Sequence, residues 1–180
     1  VMNQKPQHLD NFKGFVHRTF NNLDATFFIK ALQNIYLNHD GMEAVFSTHA
    51  EETSLQSAIH EFKKVFFEIP HLPRTQKHIS DPLKNSAAKR INMYLRWMIR
   101  NDNSGVDFGI WKNIQPHQLV CPLDVHVQRV ARNLNLIQSE KEVISLPIPI
   151  LFQKKYYKNS WKKLVTKWNV MKFVGSDLRQ

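Results

Sequence analysis

Apolar residues recur at helical spacing along most of the chain. Between Asp24 and Leu37, Phe28, Ala31, Leu32 and Ile35 fall on one helical face, and His39-Asp40-Gly41 supplies a stop, so a helix capped by Asp24 is expected. Ser54 is placed to cap a second helix, in which Leu55, Ala58, Ile59, Phe62 and Phe66 form a core stripe that ends at Ile69-Pro70. The three prolines between Pro70 and Pro82 predict an extended loop. Ser86 then caps a helix running to about Arg100, with Ile91, Tyr94, Leu95 and Met98 facing inward. Asp107 to Asn113 reads as a short helix, and Pro116 is suited to begin another turn. A last helix is expected from Asp124, its inward face carrying Val127, Val130, Ala131 and Leu134. Ile144 to Ile150 reads as extended chain, and no strand-turn-strand pattern around an Asn-Gly or Asp-Gly turn is found. The expected class is all-α.

Length and composition add that 180 residues suffice for one core and that 42% hydrophobic residues are ordinary for a folded domain. Residues 1–140 are expected to form the helical domain, and residues 141–180 an atypical basic tail. The chain opens on Val1 without an initiator and is expected to be a fragment. A lone cysteine, Cys121, makes no internal disulfide, and no long apolar run is present. A soluble cytoplasmic protein, monomeric and away from membranes, is the expectation. The net charge of +10 points toward a polyanion, yet it divides unevenly. Residues 1–140 hold 16 basic against 13 acidic residues, residues 141–180 hold 9 against 2. Within the body, Arg74 to Lys112 carries eight basic residues against Asp81, Asp102 and Asp107. On the predicted helix Lys89, Arg96 and Arg100 fall on one side. Composition alone reads this equally as a solvated helix face.

KRINMYLRWMIR (Lys89 to Arg100), VDFGIW (Val106 to Trp111), PLDVHVQRVARNLNL (Pro122 to Leu136) and the upstream GFVHRTF together resemble an uncharacterised bacterial family, domain of unknown function 2400, over roughly residues 9–137. That family is similar to the helix-hairpin-helix DNA glycosylases. Lys89-Arg90-Ile91-Asn92-Met93-Tyr94-Leu95 stands where endonuclease III-like enzymes have Lys-Thr-Ala-Asn-Val-Val-Leu. Leu123-Asp124-Val125-His126-Val127 stands where they have Val-Asp-Thr-His-Ile. The resemblance implies an orthogonal helical domain of the glycosylase type, incomplete here, with Lys89 and Asp124 as the catalytic pair. Leu83-Lys84-Asn85-Ser86-Ala87 replaces the Leu-Pro-Gly-Val-Gly hairpin and has neither glycine. The longer interval from Lys89 to Asp124 is closer to an archaeal 8-oxoguanine glycosylase branch.

A glycosylase-lyase needs a neutral amine to attack the sugar carbon C1′, and burial beside other cations favours that form. A nearby carboxylate stabilises charge developing on the sugar, the role implied for Asp124. Lys84, Ser86, Arg90, Arg96 and Arg100 are the expected contacts to nucleic acid. The target base must leave the stack, and Trp97, Phe108 and Trp111 are the candidates to receive it. Each residue has a plainer reading. A lysine on an amphipathic helix is ordinarily a surface charge, an aspartate before a helix is a sufficient cap, and tryptophans are more often core than stacking surfaces. His117, Cys121 and His126 gather near Asp124 in sequence, but their spacing matches no compact zinc signature, and no metal or other cofactor is expected. DNA is the expected partner. The alternative is a non-catalytic nucleic-acid-binding or interaction domain.

Overall fold

The computed structural model describes residues 12–102, 105–123, 125–133 and 145–147. Two two-residue strands, β1 (Val16–His17) and β2 (Phe20–Asn21), pair antiparallel, Val16 opposite Asn21 and His17 opposite Phe20. No hairpin was expected here, because strands this short carry no alternation. The turn between them contains Arg18 at φ 56°.

Helix α1 (Asn22–Asn38) starts two residues before Asp24. The cap is Asn21, whose Oδ1 accepts from the Asp24 N–H at 3.2 Å while Asp24 Oδ2 accepts from the Asn21 N–H at 3.1 Å. This reciprocal box satisfies two N–H groups and moves Asp24 from the expected cap to the first turn. His39-Asp40-Gly41 ends the helix as expected, with the His39 and Gly41 N–H groups both donating to Ile35 O and Gly41 at φ 92°. A short helix α2 (Met42–Thr48) follows, which the hydrophobic pattern did not announce. Helix α3 (Gln56–Phe66) buries the anticipated stripe, with Leu55, Ala58, Ile59, Phe62 and Phe66 all at 2% exposure or less. Leu55 occupies the cap position, and Ser54 Oγ accepts from Gln56 N–H at 3.2 Å.

The stretch expected as an extended loop is instead wound into two 3-10 helices, Pro73–His78 and Pro82–Lys84. Each begins on a proline, whose fixed φ suits a first helical turn and whose missing N–H costs nothing there. Helix α4 (Lys89–Ile99) begins three residues after Ser86. Asp107 to Asn113 is not a helix. Val106, Phe108 and Ile110 are exposed while Asp107, Gly109 and Trp111 are buried, the alternation of extended chain. Gly109 makes this run possible. Its φ is 59°, and a Cβ there would lie 2.6 Å from Asn101 Cβ.

This run also closes the end of α4. Phe108 N–H donates to Trp97 O at 2.7 Å, and Trp111 N–H to Met98 O at 2.9 Å, so carbonyls left over at the helix terminus are satisfied by the returning chain. Pro116 opens the expected turn, a 3-10 helix to Gln118. Strand β3 (Val120–Pro122) pairs antiparallel with β4 (Ser145–Pro147), Cys121 opposite Leu146. The extended chain read at Ile144 to Ile150 is thus attached to the body of the fold through residues 145–147. Helix α5 (Val125–Asn133) follows β3, with Ala131 and Gln128 buried. Asp124 and Leu134 lie outside the described residues.

Among the described residues the structure is mostly helical, with two two-stranded sheets that the all-α expectation omitted. One core joins α1 to α4 and the chain from Trp111 to Leu119. At its centre the rings of Phe46 and Phe62 stack with centroids 4.6 Å apart, and Phe66 meets Phe28 edge-on at 4.8 Å. Each such ring, removed from water, contributes roughly 1.5–3 kcal/mol.

A buried carboxylate ties the N-terminal hairpin to this core. Asp24 Oδ1 accepts from Thr75 Oγ1 at 2.7 Å, and Oδ2 lies 3.3 Å from His78 Nε2 and 3.4 Å from Arg74 Nη2. Arg74 also donates to the Thr19 carbonyl at 3.0 Å. Burial by itself would raise the Asp24 carboxyl, but the bonds from Thr75 and Asn21 and the charges of Arg74 and His78 outweigh it and hold the group below its ordinary 3.8.

Candidate nucleic-acid interface

From Pro82 to Asn101 the chain has five basic residues, Lys84, Lys89, Arg90, Arg96 and Arg100, and no acidic one. This acid-free segment consists of a tight hairpin followed by α4. Asp81 fixes the hairpin from below. Its Oδ1 accepts from Leu83 N–H at 3.1 Å and from His60 Nδ1 on α3 at 3.0 Å, and its carbonyl accepts from Lys84 N–H at 3.1 Å. Burial pushes the Asp81 carboxyl up, but the His60 bond and charge, the Leu83 N–H and Lys63 together lower it, so an ionised acceptor sits under the turn.

The turn then reverses direction through Asn85, at φ 57° and ψ 38° in the left-handed region. Asparagine is among the few residues other than glycine that enter this region readily. Ser86 Oγ accepts from Ala88 N–H at 3.3 Å, Ala88 itself sits at φ 42°, and α4 begins at the next residue. Asn92, buried on the first turn of α4, donates through Nδ2 to Ala87 O at 2.9 Å and locks the hairpin to the helix. Asn92 and His60 are not singled out by the sequence, Asp81 enters it only as an acid within the basic stretch, and Asn85 only as a phosphate contact in the hairpin. The signal for Asn85 lies in its residue type at a turn, whereas the other three depend on contacts across the fold.

The expected site residues separate into three groups. Lys84, Lys89 and Arg90 are exposed and Ser86 is half-buried at the hairpin, so these four lie close together along the chain, on either side of the buried Ala88. Arg96 does not join them. It is 7% exposed, and its Nε and Nη2 both lie 3.1 Å from Asp107 Oδ2, with Arg100 Nε at 3.6 Å from the same oxygen. The three-charge face expected from helical spacing is thereby reduced, because one guanidinium is turned inward and neutralised by a buried carboxylate. The aromatic candidates divide as well. Trp111 is a core residue, 8% exposed and set against Phe46 and Tyr94 at centroid distances of 5.7 and 5.6 Å. Trp97 and Phe108 stand open to solvent. Tyr94, half-buried beside Trp111, has its hydroxyl pushed up to about 12 by burial and by Tyr36.

Residues 1–148 match the family model described as Protein of unknown function (DUF2400). The chain belongs to this family. No curated protein and no solved structure matches the chain. Every strand and helix named above lies within the residues that the DUF2400 model covers, β4 included. Asp124, the expected catalytic partner of Lys89, falls inside the DUF2400 match but outside the described residues. Among the described residues no group of three or more His, Cys, Asp or Glu side chains is arranged to hold a metal ion, and no helix is long and apolar enough to cross a membrane.

Proposed function

We propose that this chain binds DNA through the 82–88 hairpin and the exposed cations of α4, and acts there as a DNA glycosylase or abasic-site lyase of the helix-hairpin-helix type. The observation that carries the reading is the conformation of Asn85. Enzymes that the sequence resembles place a glycine at this step of the hairpin, and Asn85 adopts the left-handed geometry for which glycine is suited, just ahead of a helix whose first residue is Lys89. Asn85 can thus take the place of the first of those glycines, and exposed Lys84 and Arg90 flank it as the proposed phosphate ligands.

In the proposed reaction the neutral Lys89 Nζ attacks C1′ of the deoxyribose. The bond from C1′ to the base breaks, its electron pair leaves with the base, and the base takes up a proton. Loss of the amine proton and opening of the sugar ring at its oxygen give a Schiff base between Nζ and C1′. Asp124 is assigned, from the sequence resemblance, to stabilise positive charge on the sugar as the base departs. Incubation with DNA carrying an abasic site or an oxidised guanine, in the presence of borohydride, should reduce the Schiff base to a stable covalent adduct. Equal adduct yield from Lys89→Ala overturns the assignment.

One observation favours a second reading. The Lys89 side chain is exposed on the first turn of α4, as that of a lysine that only neutralises phosphate would be. Salt-sensitive DNA binding with no trapped adduct on any of these substrates identifies the chain as a non-catalytic nucleic-acid-binding domain.

A further inference from the structure

Helix α4 exposes a tryptophan among its cations. Arg90, Met93 and Trp97 recur at i, i+3 and i+7, one side of a helix with 3.6 residues per turn, with Arg100 following at the C-cap, half-buried beside Asp107, and Trp97 is 38% exposed on that side. Phe108, 57% exposed, is tied to the same place by its N–H bond to the Trp97 carbonyl. Val106 and Ile110 on either side are exposed at 44% and 61%. A cluster of exposed apolar side chains marks an interaction site, and beside the exposed cations at the start of α4 it suits an occupant that is flat and apolar on its faces and negatively charged along its backbone.

From this juxtaposition we infer that Trp97, with Phe108 beside it, is an open stacking platform for an unpaired base, and that the chain prefers DNA with a single-stranded or bulged nucleotide over continuous duplex. The inference rests on the DNA-binding reading above and names its substrate class. In an intact duplex each base face is covered by its neighbours, so an exposed indole gains nothing from it. An unpaired base has an open face, and stacking on an aromatic side chain does not depend on its sequence. Asp107 neutralises Arg96 and lies beside Arg100, so the exposed cations near the platform are Lys84, Lys89 and Arg90, and their charge makes a polyanion the matching partner rather than a basic or neutral protein surface.

The test uses the whole chain and three fluorescein-labelled probes of equal length, followed by anisotropy: single-stranded oligothymidine, blunt duplex, and duplex with a bulged thymidine. The wild type should bind the bulged and single-stranded probes more tightly than the blunt one. Trp97→Ala should reduce that preference by roughly tenfold, while Trp97→Phe retains most of it. An unchanged melting temperature for both variants separates the effect from misfolding. Equal preference in wild type and Trp97→Ala overturns the platform and leaves DNA binding standing. Binding to none of the probes overturns the DNA-binding reading itself. A dimer in sedimentation that Trp97→Ala dissolves, with probe binding unchanged, assigns the patch to a second copy of the chain and also overturns the inference.

Discussion

Arg96 and Asp107, separated by eleven positions in the chain, meet through two contacts of 3.1 Å, from Nε and Nη2 of the guanidinium to Oδ2 of the carboxylate. Both side chains are enclosed, so the pair joins α4 to the extended run that follows it in a setting where water cannot replace either partner. Removing one partner strands the other charge. Asp107→Ala is therefore expected to destabilise the fold by about 3–5 kcal/mol. Replacing both, as Arg96→Met with Asp107→Leu, should restore most of the loss. Urea denaturation of the two variants checks this, and a loss in Asp107→Ala no larger than that of a surface substitution shows that the pair does not hold the run in place.

The hairpin yields a second expectation. Asn85 lies at φ 57°, where a β-branched side chain is strained by roughly 1–2 kcal/mol and glycine is not. Asn85→Val should lower stability by about that amount. Asn85→Gly should be neutral or slightly stabilising, and in the proposed function it should preserve DNA binding. If glycine and valine prove equally damaging, the asparagine matters through its side chain rather than through its backbone.

Helices were legible in this sequence where a long apolar face recorded them. The α3 stripe from Leu55 to Phe66 and the His39-Asp40-Gly41 stop are where periodicity and turn chemistry place them. Starts were misplaced in one direction or another because a capping residue is chosen by local bonds that periodicity does not see. Asn21 displaces Asp24 by forming a reciprocal box with it, and Ser86 serves an Oγ turn that delays α4 until Lys89. The interval from Asp107 to Asn113 misled for a different reason. Its hydrophobic residues are equally consistent with a short helix or an alternating strand, and Gly109 decides between them only through its approach to Asn101. The candidate site was legible as residue types and not as exposure. Whether Arg96 faced phosphate or Asp107, and whether Trp111 faced a base or Phe46, depended on how α4 rolls against its neighbours.

Acid should weaken the N-terminal anchor. Asp24 in the folded protein lies below its ordinary 3.8, so its contribution to stability is fully present above that value and is lost as pH falls through the lower folded value. Asp24→Asn should lower stability at neutral pH and flatten the decline between about pH 4 and more acidic conditions. Thermal melting of both proteins across that window measures the difference. Parallel curves at all pH values indicate that Thr75, Arg74 and His78 do not favour the ionised form. Asp81 shifts in the same direction through His60, and so Asp24→Asn should leave a smaller residual acid dependence rather than none.

The salt dependence of DNA binding should distinguish the cations of α4 by their surroundings. A side chain that neutralises a phosphate releases a counterion, and its removal lowers the slope of log affinity against log salt by about 0.9 for duplex DNA. Lys84→Ala and Arg90→Ala, at exposed positions beside the hairpin, should each reduce the slope by about that much if both touch phosphate in the proposed complex. The paired substitution Arg96→Met with Asp107→Leu should not lower it, since the Arg96 guanidinium is already neutralised inside the fold and releases no counterion on binding, while Arg100, relieved of Asp107, can only add to the slope. A reduced slope in the paired variant means that Arg96 exchanges Asp107 for phosphate when DNA arrives. An unchanged slope in Lys84→Ala and Arg90→Ala places the DNA elsewhere on the chain.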